Sequence, residues 1–144
     1  MIKPNFTRQD IRRAIGERLV AVDRAIVLRL AFIGETFVNN ARLKNTYMDQ
    51  SGALRSSIGY VVLKNGVKRL GSDFVKVKNG EEGVAAGKKL IKELLQAHPT
   101  GYVLIVVAGM NYAAAVESKG KDVLTGSIPE TKRQLRAAFK DFNR

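Results

Sequence analysis

The chain has 144 residues, 45% of them hydrophobic, which is enough to fold as one domain around its own core. It contains no cysteine, which excludes disulfide frameworks, thiolate zinc sites and cysteine nucleophiles. Its 25 Lys and Arg outnumber its 13 Asp and Glu, and the formal net charge of +12 favours polyanionic partners such as nucleic acid, anionic lipid or acidic protein.

The first predicted element is a long helix over residues 8–44. Its apolar residues recur every three or four positions and form one stripe. The stripe consists of Ile11, Ile15, Leu19, Val22, Ile26, Leu30, Ile33, Phe37 and Ala41. Thr7 and Asp10 have the spacing of an acidic capping box that begins a helix. Such a helix would be roughly 55 Å long, whereas a domain of this size has a radius of gyration of about 15 Å. We therefore expect part of the helix to project beyond its domain.

Further apolar residues of the same helix lie outside the main stripe. They are Val20, Val27, Leu28, Phe32 and Val38. One small sheet is not expected to cover all of this apolar surface, so these five residues are candidates for subunit contacts.

The middle of the chain predicts a hairpin. Residues 57–64 are typical of a strand, and Asn65-Gly66 is a strong signal for a hairpin turn. The partner strand is either 67–70 or 74–78. A second helix is predicted over 81–97, where Gly80, Gly83 and Gly87 indicate a turn and a close helix contact.

The last part of the chain contains a strand and two more helices. Residues 102–108 are nearly all apolar and β-branched, which predicts a central strand covered on both faces. The apolar run around this strand is too short to span a bilayer, so we expect a soluble protein. A short helix over 111–119, an extended segment or turn over 123–127 and a final helix over 129–142 follow.

Together these elements predict an α+β fold, with a long N-terminal helix and further helices packed on a small antiparallel or mixed β-sheet. Residues 1–144 would form a single domain. The long helix would occupy 8–44, and the sheet and remaining helices would occupy 51–144.

Residues that carry chemistry are scarce. His98 precedes Pro99 at a predicted helix end, with no acid or nucleophile at a catalytic spacing, so a structural role is favoured. Residues 83–89 are one residue too short for a phosphate-binding loop, and Lys89 stands where Ser or Thr would hold magnesium. We therefore expect no catalytic site, no cofactor and no metal.

A basic nucleic-acid-binding module is the main alternative, because the net charge supports it. The tyrosines do not have the spacing of a stacking platform, and no helix-turn-helix or zinc-finger pattern is visible. Nonspecific contact with DNA is more consistent with this sequence than base-specific recognition.

Two segments carry a likeness to a known family. In the first, Ser-Gly-Ala-Leu-Arg-Ser-Ser-Ile over 51–58 leads from a polar connection into a strand. In the second, Val-Val-Ala-Gly-Met-Asn-Tyr-Ala-Ala-Ala-Val-Glu over 106–117 leads from a strand into a helix. Their order after a long N-terminal helix resembles the tail-completion and head–tail joining proteins of long-tailed bacteriophages, the group that includes minor tail protein Z-like subunits.

The resemblance implies a structural virion protein and not an enzyme. Members of this group form rings, and we expect sixfold or twelvefold rings at the head–tail junction or tail end. The implied partners are copies of the same chain and the neighbouring connector and tail-tube proteins, with nonspecific DNA contact in the channel and no membrane. The protein would be made in the bacterial host cytoplasm and reside in the virion.

In the first motif, the resemblance assigns Gly52 to a tight turn and makes Leu54 and Ile58 anchors of the strand in the core. Arg55 is the remaining motif residue of this segment. Each of these residues would also serve ordinary folding.

In the second motif, Gly109 would free the chain to turn, and Asn111 follows it. Tyr112 would pack while its hydroxyl stays in water, and Glu117 would pair with an arginine across a subunit boundary. Ordinary folding is again the alternative for each residue.

Overall fold

The computed structural model describes residues 2–43, 48–111, 113–120 and 122–140,. They form an α+β fold, as predicted. In chain order the elements are α1 (Arg8–Leu43), α2 (Ala53–Ser56), β1 (Ile58–Lys64), β2 (Val67–Gly71), α3 (Glu81–Leu95), β3 (Tyr102–Ala108), α4 (Ala113–Ser118), a 3-10 turn (Thr125–Ser127) and α5 (Ile128–Lys140).

Helix α1 begins at the predicted capping box. The Thr7 hydroxyl accepts a hydrogen bond from the Asp10 backbone N–H at 3.2 Å, and the Asp10 carboxylate accepts one from the Thr7 N–H at 2.8 Å. These bonds satisfy two backbone donors that a helix start leaves free. The helix then continues without a break for 36 residues, including Gly16 and Gly34.

The three strands form an antiparallel sheet in the order β2-β1-β3. The first hairpin uses Val67–Gly71, so the alternative partner strand over 74–78 is wrong. Six of the seven residues of β1 are buried, and they alternate between two helices. Tyr60 and Val62 belong to the cluster that includes α1, whereas Val61 and Leu63 pack with Ile91 of α3.

The predicted central position of residues 102–108 is wrong. Among the described residues, strand β3 pairs only with β1, from Ile58↔Ala108 to Lys64↔Tyr102, and lies at the edge of the sheet. The predicted cover on both faces is confirmed, because α1 packs with Leu104 and Val106 on one face and α3 packs with Val103 and Val107 on the other. A covered strand needs apolar side chains on both faces whether or not it has two neighbouring strands.

Glycines bring α3 close to the rest of the fold, as predicted. A Cβ at Gly83 would lie 1.8 Å from the Ala53 carbonyl oxygen. A Cβ at Gly109 would lie 2.5 Å from backbone atoms of Gly87. Gly109 does not have a positive φ, so its role is close packing against α3 and not the predicted freedom to turn.

Candidate interaction surface

The N-terminal part of α1 extends away from the body of the fold. Val27 is the first buried residue of the helix, and none of the described residues before it is buried. Residues 8–22 therefore project for about 22 Å at 1.5 Å per residue. Three stripe residues of this part are exposed, at 44% for Ile11, 55% for Ile15 and 64% for Leu19, whereas Val22 is half-buried. Farther along the helix, residues of the same stripe pack on the sheet. The stripe is therefore exposed at the N-terminal end of α1 and buried in its second half.

A cluster of polar side chains holds α1 where it leaves the sheet. The Asp23 carboxylate accepts hydrogen bonds from Lys64 Nζ at 2.7 Å, Arg69 Nη2 at 2.8 Å and the Tyr102 hydroxyl at 2.5 Å. These donors, Arg69 first and then Lys64 and Tyr102, lower the pKa of Asp23 well below its usual range. The three donors come from three different strands, so the cluster fixes the direction of the projecting helix relative to the sheet.

An open apolar groove of about 410 Å³ lies between α1 and α5. It is lined by Leu28, Arg29, Phe32, Ile33, Gln134, Ala137 and Ala138. Leu28 is 51% exposed and Phe32 is 70% exposed, which is unusual for side chains of this size. Arg29 Nη1 donates a hydrogen bond to the Ala138 carbonyl oxygen at 2.5 Å and ties the two helices together.

The predicted interface residues of α1 divide into two groups. Val20, Leu28 and Phe32 are exposed. Val27 and Val38 are buried at 4% and 0%, because they pack in the main cluster of the chain's own core. These two residues therefore do not belong to the candidate interaction surface.

The first motif is placed as the sequence predicted. Gly52 has a φ of +79°, and a Cβ there would lie 1.9 Å from the Val77 carbonyl oxygen. Leu54 and Ile58 are 2% and 0% exposed, so both are core anchors. The Arg55 backbone N–H donates to the buried Asp49 carboxylate at 3.2 Å, which holds the start of α2 against the preceding connection.

In the second motif, Glu117 has partners inside the chain, and its predicted pairing with an arginine across a subunit boundary stays a prediction. Its carboxylate accepts hydrogen bonds from the backbone N–H groups of Val123, Leu124 and Thr125, and from the Thr125 hydroxyl. Burial alone would raise the pKa of Glu117, but these hydrogen bonds lower it overall. Asn111 lies exposed in a turn, and Tyr112 lies outside the described residues.

Sequence reasoning missed both the Asp23 cluster and the α5 wall of the groove. Asp23 is 41 residues from Lys64 and 79 from Tyr102, so no local spacing could reveal their contact. The α5 wall consists mainly of Ala137 and Ala138, which give no signal of a binding surface in the sequence.

The described ranges hold neither a candidate metal cluster nor a membrane-spanning helix. They contain no group of three or more His, Cys, Asp or Glu that could hold a metal ion. No helix in them combines the length and apolar character needed to cross a bilayer.

The exposed stripe and the apolar groove are thus the two candidate interaction surfaces of this chain. No protein-family model matches the chain, and no curated protein or solved structure matches it either.

Proposed function

We propose that this chain is a structural protein of a tailed bacteriophage virion, which assembles with copies of itself into a ring at the head–tail junction or tail end. The observation that supports this most strongly is the projection of residues 8–22 with Ile11, Ile15 and Leu19 exposed. Fully burying one such side chain contributes about 1.5–3 kcal/mol, so a partner that covers the stripe gains several kcal/mol.

The projecting segment also needs a partner for its own stability. Isolated helices shorter than about 12–15 residues are marginal in water, because most helical stability comes from packing of an apolar face. Residues 8–22 have no buried residue, and they depend on the rest of α1 and on the Thr7–Asp10 capping box. Contact with another subunit would supply the missing packing.

The phage assignment rests on the two motifs that resemble tail-completion and head–tail joining proteins. The segments are adjacent in space, because Ile58 pairs with Ala108 and the Gly109 N–H donates to the Ser57 carbonyl oxygen at 3.1 Å. They form one connected unit where β1 begins and β3 ends. The two segments on which the resemblance is based thus meet at one place in the fold.

The net charge of +12 fits two kinds of neighbour in such a ring. Basic side chains would face acidic connector or tail-tube proteins, or DNA passing through the channel. In this proposal the chain performs no catalysis and needs no cofactor. It is made in the bacterial cytoplasm and functions in the virion.

The direct test is the mass of the full chain in solution, alone and mixed with tail-tube subunits of the same phage, by sedimentation over a range of concentrations. The parent chain should form oligomers in at least one of these conditions. The variant Ile15→Gln/Leu19→Gln should lose them, because glutamine retains helix propensity but removes the apolar stripe.

The matched control is Ala14→Gln/Ala21→Gln. Both alanines are exposed on the same projecting segment but lie off the stripe, so this variant should assemble like the parent. A parent chain that is monomeric in every condition would contradict the proposed function.

A further inference from the structure

We propose that the stripe of one copy binds in the groove between α1 and α5 of the next copy. The inference rests on the proposed self-assembly and names the surface that receives the projecting helix. Ile11, Ile15 and Leu19 form the inserted face, and Leu28 and Phe32 belong to the receiving face.

The groove has the shape and chemistry to receive an apolar helix. Leu28 and Phe32 form one wall, and Ala137 and Ala138 leave room on the other wall for large side chains. The groove has a volume of about 410 Å³ and is open to solvent. Binding of an amphipathic helix through residues spaced by three and four positions is a common mode of recognition.

The stripe that fills the groove comes from a second copy in this proposal, because the stripe of the same chain cannot reach it. The stripe and one wall of the groove lie on a single helix that runs unbroken from Arg8 to Leu43. A continuous helix cannot fold residues 11–19 back onto residues 28–33. The two surfaces are different, so the contact is heterologous and repeats around an axis until a ring closes.

The buried area sets the expected strength of the contact. The facing half of a helix about 22 Å long and 11 Å wide has an area of roughly 400 Å². One contact therefore buries about 800 Å² over both partners, half of a standard interface of about 1,600 Å². Each copy in a ring makes the contact twice, once through its stripe and once through its groove. A single pair is weak, and closure of the ring makes the assembly stable.

The charges around the two surfaces predict how salt acts on the contact. Arg12 and Arg18 lie on either side of the stripe, and Arg29 lines the groove. Repulsion between exposed charges is weak and is screened by salt, so apolar burial dominates. Self-assembly should therefore strengthen as salt rises. An acidic partner or a polyanion would show the opposite dependence.

A complementation experiment tests the pairing of the two surfaces. The stripe variant is Ile15→Gln/Leu19→Gln, and the groove variant is Phe32→Gln/Ala137→Gln. All four residues are exposed in the single chain, so the fold should survive, and circular dichroism checks this. Each variant alone should be monomeric at concentrations where the parent assembles. Mixed at high concentration, they should form heterodimers and nothing larger, because only one productive contact remains.

Cysteine cross-linking detects the same contact in a nearly unchanged chain, which has no cysteine of its own. Leu19→Cys and Ala137→Cys chains, mixed under mild oxidation, should form a disulfide-linked dimer, since a disulfide needs Cα atoms about 4.4–6.8 Å apart. Leu19→Cys mixed with Val67→Cys is the control, because Val67 is exposed on β2 and does not line the groove. We expect at least tenfold more cross-linked heterodimer with Ala137→Cys.

The outcomes separate this inference from the proposed function. A groove variant that assembles like the parent would refute the inference and leave self-assembly intact, since stripes would then pair with one another. Mixed variants that stay monomeric, together with equal cross-linking to positions 137 and 67, would also refute it. A parent chain that never assembles would refute both proposals. If a glutamine variant unfolds, the inference is tested by the amounts of cross-linked dimer that Leu19→Cys forms with Ala137→Cys and with Val67→Cys.

Discussion

Asp23 and Lys64 join the long helix to the end of the central strand, with the carboxylate oxygen 2.7 Å from the ammonium nitrogen. Arg69 and Tyr102 donate to the same carboxylate. Asp23 is the last acidic residue of α1 before its buried part, and its side chain is only 16% exposed. The helix is thus held at the point where it leaves the sheet.

The first prediction concerns the pH dependence of this cluster. The pKa of Asp23 is lowered in the folded chain, so the ionised carboxylate favours folding. Its contribution to the free energy of unfolding should be complete above about 3.9, the pKa of an Asp carboxyl in an unfolded chain. The contribution should be lost as pH falls through the lower pKa of the folded chain. Asp23→Asn should therefore be less stable than the parent at pH 7, with a difference that shrinks in strong acid.

Urea unfolding from pH 7 down to pH 2 measures this difference. Tyr102→Phe is the control, because it removes one neutral donor and keeps the carboxylate with both cations. A stability difference for Asp23→Asn that stays constant over the whole pH range would argue against the cluster.

The second prediction concerns close packing. Gly109→Ala should destabilise the fold by roughly 1–3 kcal/mol, because its Cβ would lie 2.5 Å from the backbone of Gly87. Gly16→Ala is the matched control, since a Cβ there meets nothing within 4 Å. That change should stabilise helix α1 by about 1 kcal/mol. Chemical denaturation measures the free energy of unfolding of both variants. Similar changes of this free energy in the two variants would contradict the packing role of Gly109.

The third prediction separates the two roles considered for Glu117. Its carboxylate holds the backbone N–H groups of Val123, Leu124 and Thr125. Glu117→Gln should weaken these bonds and speed amide hydrogen exchange at Leu124 and Thr125 by about tenfold, which corresponds to roughly 1.4 kcal/mol. Oligomer mass should not change. Unchanged exchange with lost assembly would instead favour a pair across a subunit boundary.

The fourth prediction concerns DNA. The net charge of +12 should give weak binding to a random duplex, with an affinity that falls steeply with salt and shows no base preference. Fluorescence anisotropy with several unrelated duplexes of equal length measures this. A preference above tenfold for one sequence would favour the alternative of a base-specific nucleic-acid-binding module.

Local signals predicted most of the fold correctly. The capping box located the start of α1. Asn65-Gly66 formed the hairpin turn because both residues adopt positive φ values, of 50° and 78°. The edge position of β3 could not be predicted in this way. Apolar side chains indicate that both faces of a strand are covered. The neighbouring strands, however, are set by backbone hydrogen bonds, which nearly every residue can make.

The interaction surface was predictable only in part. Helical periodicity identified a stripe too long for one small domain, and the projecting part of α1 agrees with it. Periodicity assigns residues to faces but does not say which face the sheet or α5 will cover. Val27 and Val38 were therefore grouped with Leu28 and Phe32, although the first two are buried and the last two are exposed.

The unbroken course of α1 has a geometric consequence for any ring built as proposed. One unbroken helix would present the inserted face at one end and part of the receiving wall nearer the other. The rotation from each copy to the next would then be set by the axis and twist of this single helix. The number of copies around the ring would depend on the straightness of one helix, and a small bend between the two surfaces would change it.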